Sequence, residues 1–297
     1  MKPISSIFLS LLLAIAVSSC NSGNKSSEAE TPAAPAAVAS TDSGSIDGFK
    51  LGLQMWTFRM FSVTDALNKV DSAGIKYIEA FFGQPLGGEM KGKFGPEMSA
   101  ATRTQLKNLL QSKGIQIVAM GVISPANTEE WVKAFDLAKE FGLSYITAEP
   151  KKDQWNVVDS LAGSYGIKVA IHDHPKPSGY WSPDSVLAAI QGHSNIGACA
   201  DIGHWARSGL NPVDCLKKLD GHVIGAHLKD IVTFDKVDAA DTVVGKGVID
   251  FPAVFKEFKR QNFKGAFSIE HESNWYHNLP DVILIKKYYE DEVAKLK

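Results

Sequence analysis

Asn156-Val157-Val158-Asp159-Ser160-Leu161-Ala162-Gly163-Ser164-Tyr165, then Gly166, then Ile167-Lys168-Val169-Ala170-Ile171-His172-Asp173-His174: this stretch holds one complete unit of the pattern that decides the fold. Its first ten residues space apolar side chains as an amphipathic helix does, and the β-branched run after Gly166 reads as a short strand ending in polar residues. Gly166 stands where the helix must stop and the chain reverse, a place where glycine reaches the left-handed conformation at little cost. Outward from this unit the theme recurs in both directions, with Gly74, Gly114 and Gly142 at the same helix-to-strand junction. Strands are expected over Leu51 to Trp56, Ile75 to Ala80, Ile115 to Met120, Ser144 to Ala148, Lys168 to Ile171, Ile196 to Ala200, Val223 to Ala226 and Ala266 to Ile269. Helices are expected between them, and a last one over Leu279 to Val293. Alternating strands and helices imply βαβ units and a parallel sheet, and eight strands close into a (β/α)8 barrel, an α/β fold. An open doubly wound sheet would favour a glycine-rich phosphate turn after the first strand; Met55-Trp56-Thr57-Phe58-Arg59 stands there instead.

The 297 residues, 44% hydrophobic and 22% charged, suit one barrel-sized domain. A formal net charge of -2 gives no general attraction for nucleic acid or anionic lipid, so nucleic acid is not expected as a partner. The amino terminus differs from the rest. Lys2 precedes the apolar run Ile7 to Val17, too short for a permanent membrane helix, and Val17-Ser18-Ser19-Cys20 follows. Small residues before a cysteine resemble a bacterial lipobox, which implies cleavage before Cys20 and lipidation of that cysteine; an ordinary signal peptide with a chance cysteine is the alternative. Either reading places the mature protein outside the cytoplasm, and the first makes it a lipoprotein that meets the membrane only through its anchor. Residues 21–48 are Ser, Ala, Pro, Glu and Thr with almost nothing large and apolar, a tether composition. The expected organisation is thus a leader over 1–19, a tether over 20–48 and a catalytic barrel over 49–297. Cys199 and Cys215 read as buried thiols, since the close spacing of a zinc cluster is absent.

In such a barrel the chemistry is carried where strands run into the following loops. The candidates there are Glu79, Glu149, His172 with His174, Asp201 with His204, His227 with Lys229, and Glu270 with His271. His172, Asp201, His227 and Glu270 offer four N and O donors on adjacent strands, a set that suits one divalent Mn, Zn, Co or Fe ion rather than calcium. Four buried polar groups in register would otherwise each need a partner of their own.

These residues resemble the sugar isomerase/epimerase superfamily with the xylose-isomerase-like TIM barrel, most strongly in Asp201-Ile202-Gly203-His204, His227-Leu228-Lys229-Asp230 and Gly265 through Glu270. The resemblance implies a metal held by Glu, Asp, His and Glu from the last four strands. The last three carry over to Asp201, His227 and Glu270, whereas His172 stands where many relatives have the first glutamate. Some dehydratase-like relatives have E-x-H there, which makes His172-Asp173-His174 a ligand followed by an acid/base group; the alternative is that Glu149 supplies the missing carboxylate. His174, His204 and Glu149 are the candidates for proton transfer, and Lys229 for donation to an oxyanion, unless Lys229 and Asp230 pair to shape the loop. Trp56, Glu79, Trp205 and Lys246, the last in Gly245-Lys246-Gly247, are the candidates for binding substrate.

A metal bound to neighbouring carbonyl and hydroxyl oxygens of a sugar stabilises the enediolate left by proton removal. Return of the proton makes an isomerase or epimerase of a keto-sugar or polyol, the first reading. Loss of a β-substituent makes a lyase or dehydratase, for example of 3-keto-glycosides, the second. A non-catalytic lipoprotein that only binds carbohydrate is the third.

Overall fold

The computed structural model describes Ser45, Ile46 and residues 48–296. The leader, Cys20 and the tether up to its last few residues lie outside the described residues. Within the stretch read as tether, Ser45–Ile46 pairs antiparallel with Lys50 and Phe49, so the barrel's first strand gains a partner there.

The strands are β1 (Phe49–Gln54), β2 (Tyr77–Ala80), β3 (Gln116–Ile123), β4 (Tyr145–Ala148), β5 (Lys168–His172), β6 (Ile196–Asp201), β7 (Val223–Leu228) and β8 (Ala266–Ile269). Each pairs in parallel with the next. β8 pairs in parallel with β1, which closes the barrel as the sequence predicts. Helices α1 (Val63–Ser72), α2 (Ala100–Lys113), α3 (Thr128–Phe141), α4 (Trp155–Tyr165), α5 (Pro183–Ile190), α6 (Ile202–Arg207), α7 (Pro212–Lys218), α8 (Phe251–Arg260) and α9 (Leu279–Val293) connect and follow them. Side-chain oxygens of Ser62, Ser99, Asn127, Ser182, Asn211 and Asp250 accept backbone N–H groups at the first turns of α1, α2, α3, α5, α7 and α8, satisfying donors that have no partner within the helix. At the other ends, Gly114, Gly142 and Gly166 adopt φ of 59°, 68° and 67°, the left-handed stop expected of them.

The outer core lies between the barrel and its helices. Phe267 of β8 is its aromatic centre, with ring centroids 4.8 Å from Phe258 of α8, 5.0 Å from Phe263 and 5.2 Å from Phe49. Alternate residues point the other way, into the barrel, because a strand has a period of two. Tyr77, Tyr145, Ala170, Cys199 and Ala266 form a small apolar plug. Gly225 leaves room for it, since a Cβ there would sit 2.5 Å from the Tyr145 Oη. Two residues further along the same strands come Glu79, Thr147, His172, Asp201, His227 and Ser268, all buried and polar. The inward register thus changes from apolar to polar toward the carboxyl ends of the strands, which places the chemistry there.

The differences from expectation are local. The first strand ends at Gln54, not Trp56, because the Gln54 side chain accepts from the Trp56 N–H at 3.1 Å and turns the chain into a 3-10 helix over Met55–Phe58. Helix α6 follows β6 with no intervening loop, and two hairpins, Pro85–Gly87 with Met90–Lys93 and Asp230–Ile231 with Asp241–Thr242, emerge from the loops after β2 and β7.

Candidate active site

His172 ends β5, Asp201 ends β6, His227 lies opposite Asp201 in β7, and Glu270 follows β8. All four side chains are buried. One donor atom from each falls within 4.8 Å of the others. His172 Nε2 lies 3.6 Å and His227 Nδ1 3.7 Å from Asp201 Oδ2, and His227 Nδ1 lies 2.7 Å from Glu270 Oε2. None of these four atoms makes a hydrogen bond of good geometry among the described residues: Glu270 Oε2 and His227 Nδ1 face each other in an ion-pair contact, Asp201 Oδ2 has the Lys229 ammonium at 3.2 Å, and His172 Nε2 has no hydrogen-bond partner. An orphaned buried polar atom costs about 1–3 kcal/mol. Four donor atoms converging at the ends of four strands fit a cation, and the mixed imidazole and carboxylate set fits a divalent transition ion.

The remaining atoms of these side chains are engaged in ways that aim the free ones. Glu79 Oε2 lies 3.0 Å from His227 Nε2 and also accepts from Ser268 Oγ at 3.0 Å. With its Nε2 proton given to a carboxylate, His227 presents the Nδ1 lone pair to the cluster. Glu149 Oε1 lies 3.4 Å from His172 Nδ1 and in short contact with His174 Nδ1, so His172 likewise turns Nε2 inward. Burial opposes a charge on Glu149, but hydrogen bonds from His172 and His174 outweigh it and pull the carboxyl down to about 2. Glu270 is also brought to about 2, with burial outweighed by Lys229 and His227. His172 thus belongs to the cluster of four and also to a second group, with Glu149 and His174, whose donor atoms lie within 4.8 Å of one another. Asp173, between the two histidines, points to the opposite side of the strand and accepts the Asp201 N–H at 2.8 Å.

The Asp201-Ile202-Gly203-His204 segment is one device. Asp201 caps α6 by accepting the His204 N–H on Oδ1 at 2.9 Å, which leaves Oδ2 for the cluster. At Gly203 a Cβ would come within 2.6 Å of Lys229 Cγ, so the glycine lets the lysine stem through. The buried Lys229 ammonium then reaches Asp201 Oδ2 at 3.2 Å and Glu272 Oε1 at 2.7 Å. Burial works against that charge, and Asp201, Glu270 and Glu272 outweigh it, holding Lys229 well above the usual lysine range. His204 lies between two cations, with Nε2 3.2 Å from Lys229 Nζ and Nδ1 3.2 Å from Arg207 Nη1. Burial and the Lys229 charge hold its ring well below the ordinary imidazole value despite Asp201.

Above the cluster opens a cavity of about 460 Å³ whose walls include Gln54, Trp56, His174, His204, Arg207 and Glu272. Trp56 is partly exposed there and donates Nε1–H to Glu272 Oε2 at 3.3 Å. His174 is half-exposed, with its ring centroid 4.6 Å from that of His172 and 5.1 Å from that of His204.

Three expected substrate contacts are placed elsewhere. Trp205 is buried in the core, because α6 turns it inward. Glu79 is fully buried below the mouth against His227. Lys246 is exposed and outside the cavity walls. Its loop instead wraps Asp230, whose carboxylate accepts the N–H groups of Ile231, Gly245, Gly247 and Ile249. Asp230 thus shapes that loop without Lys229, which turns to the other carboxylates. Gln54, Arg207 and Glu272 are wall residues that the sequence reading did not single out. A carboxylate two residues after Glu270, on the same alternation, was the available signal for Glu272.

The chain is 30% identical over 146 residues to an inosose dehydratase of Clostridium botulinum (strain Alaska E43 / Type E3), covering 41% of this chain and 49% of that protein. It spans about half the length of the curated relatives it matches. Among solved structures, an uncharacterised protein of Parabacteroides distasonis ATCC 8503 is 34% identical, with a TM-score of 0.68, over 82% of this chain and 99% of that one. A sugar phosphate isomerase/epimerase of the same organism is 18% identical, with a TM-score of 0.61, over 88% of this chain and 98% of that one, a likeness of fold alone. Residues 67–296 match the family model for the xylose isomerase-like TIM barrel. With that match spanning most of the barrel, the chain belongs to the xylose isomerase-like TIM barrel family.

Proposed function

We propose that this chain is a divalent-metal-dependent lyase or dehydratase that removes the proton beside a ring ketone of a keto-sugar and expels the oxygen substituent from the next carbon. His172, Asp201, His227 and Glu270 are the residues that would hold the ion. When bound, a divalent ion supplies a Lewis acid that makes a carbon–hydrogen bond next to a ketone acidic enough to break.

The observation that carries this reading is that, among the histidines and carboxylates of the cavity wall, His174 is the one that neither belongs to the cluster of four nor lies against a cation. His174 is half-exposed and backed by the Glu149 carboxylate, as a base requires. His204 has both ring nitrogens against cations and is held from protonation, so it is a positioning residue for Lys229 and Arg207. Glu272 is engaged by Lys229, Trp56 and Arg59. An epimerase that inverts a carbon needs proton-handling groups on both of its faces. A single imidazole suits a reaction on one face: His174 takes the proton, the bond from carbon to the β-oxygen breaks, and the same imidazolium returns the proton to the leaving oxygen. An unsaturated ketone and water or an alcohol result, so atoms and charge balance. Likeness to inosose dehydratases over part of the chain supports elimination. So does an imidazole in place of a carboxylate at His172, which leaves the ligand set less negative.

The second reading is aldose–ketose isomerisation, favoured by the same observation, because one base can also carry a proton between adjacent carbons on one face.

His174→Asn tests the proposal. It should abolish both elimination and solvent deuterium exchange beside the ketone while the protein still binds one equivalent of metal. Exchange that survives in His174→Asn contradicts the assignment of the base.

A further inference from the structure

The cavity above the cluster shares a wall residue of β3 with a second one. Val122 lines it and also lines a neighbouring cavity of about 440 Å³, so the two spaces are neighbours with one residue in common. Phe82, Pro96 and Pro125 give the second cavity its apolar walls, and Glu97, Glu130 and Lys133 its polar ones. Lys133 Nζ and Glu97 Oε1 pair at 3.2 Å on the exposed rim. Apolar faces for the C–H sides of a ring, with carboxylates and an ammonium for its hydroxyls, form a composition suited to a sugar.

Resting on the elimination reading above, we propose that this second cavity is a subsite for the leaving group and that the group is itself a sugar ring, so the substrate is a two-ring keto-glycoside rather than a single keto-polyol. If the leaving group were hydroxide, the mouth cavity alone would hold the whole substrate. A larger substituent on a ring in the mouth needs room of its own, and past Val122 lies a second space of the size of a small-ligand pocket. Phe82 is the aromatic residue in that wall and the one the departing ring would meet.

The test is equilibrium binding of unoxidised sugars to the full chain, where no turnover competes. Saturation-transfer NMR titrations would compare glucose with a panel of glucobioses of different linkage. At least one glucobiose should bind tenfold or more tightly than glucose, with magnetisation reaching both rings. Ser124→Trp, which fills the second cavity from its wall, should remove that advantage, and Phe82→Ala should weaken it at least threefold, with thermal unfolding showing that both variants fold. Equal affinity for one and two rings, no binding of either, or an advantage that survives both substitutions overturns the subsite. The two readings fail separately. Elimination from single-ring keto-sugars without preference for a second ring leaves the reaction standing and removes the subsite, whereas tight two-ring binding without elimination does the reverse.

Discussion

Glu79→Gln isolates the contact behind His227. Glu79 is fully buried, and the substitution keeps its size, so shape is not the variable. What changes is the 3.0 Å contact with His227 Nε2. The carboxylate accepts from that nitrogen and so fixes the proton away from the cluster, whereas an amide can donate to it and favour the tautomer whose Nδ1 carries the proton. A hydrogen bond to a charged group contributes about 1.5–3 kcal/mol, and removing such a partner behind a metal-binding histidine lowers affinity about 10–100-fold. The two ranges agree, since a tenfold change is about 1.4 kcal/mol. Competition for Zn²⁺ and for Mn²⁺ against a chromophoric chelator should therefore show Glu79→Gln binding about 30-fold more weakly than the parent, within those ranges. Circular dichroism melts check that the variant is folded. A folded Glu79→Gln with affinity within twofold of the parent refutes the argument that Glu79 sets the tautomer.

Other perturbations probe neighbouring parts of the same network. Lys229→Met leaves Asp201 and Glu272 without their buried cation, and should destabilise the metal-free protein by about 3–5 kcal/mol in urea, with a smaller loss when divalent metal is saturating; equal losses in both conditions contradict the assignment. Because the folded Glu149 carboxyl is depressed from 4.5 to about 2, its stabilisation is present above pH 4.5 and lost as the pH falls toward 2, amounting to at most about 3 kcal/mol in the metal-free protein. Glu149→Gln should flatten that limb of the stability profile, and an unchanged acid limb sinks the inference. Phe267→Ala removes the ring at the centre of the outer aromatic cluster and should cost about 3–5 kcal/mol by denaturant titration without altering metal stoichiometry.

The barrel was legible because each βαβ unit carries its own local signals. Capping Ser and Asn, apolar spacing, a glycine stop and a β-branched run agree with one another, so strand count and closure follow even where a boundary such as Gln54 against Trp56 is two residues off. Helix α6 escaped because Asp201 does two things at once, ending a strand and capping a helix, and no loop residues separate the two. The inward turn of α6 also explains Trp205, an aromatic beside the mouth in sequence that faces the core in space. Glu79 stands at a strand end like the four clustered residues, but depth along the barrel axis is set by the register between strands, which no single strand encodes. Lys246 shows the opposite limit: its flanking glycines have structural reasons, since a Cβ at Gly245 would strike the Tyr288 ring and one at Gly247 the Asp230 carboxylate, and neither reason involves a ligand.

Elimination at a ring ketone is tested most directly by the mass of the products formed from a 3-keto-glycoside in deuterated water by the metal-loaded protein. Release of the free alcohol with an unsaturated ketone, lost together in Asp201→Ala and His227→Ala, is the expected result. An intact isomer of the glycoside carrying solvent deuterium, with no alcohol released, would contradict it.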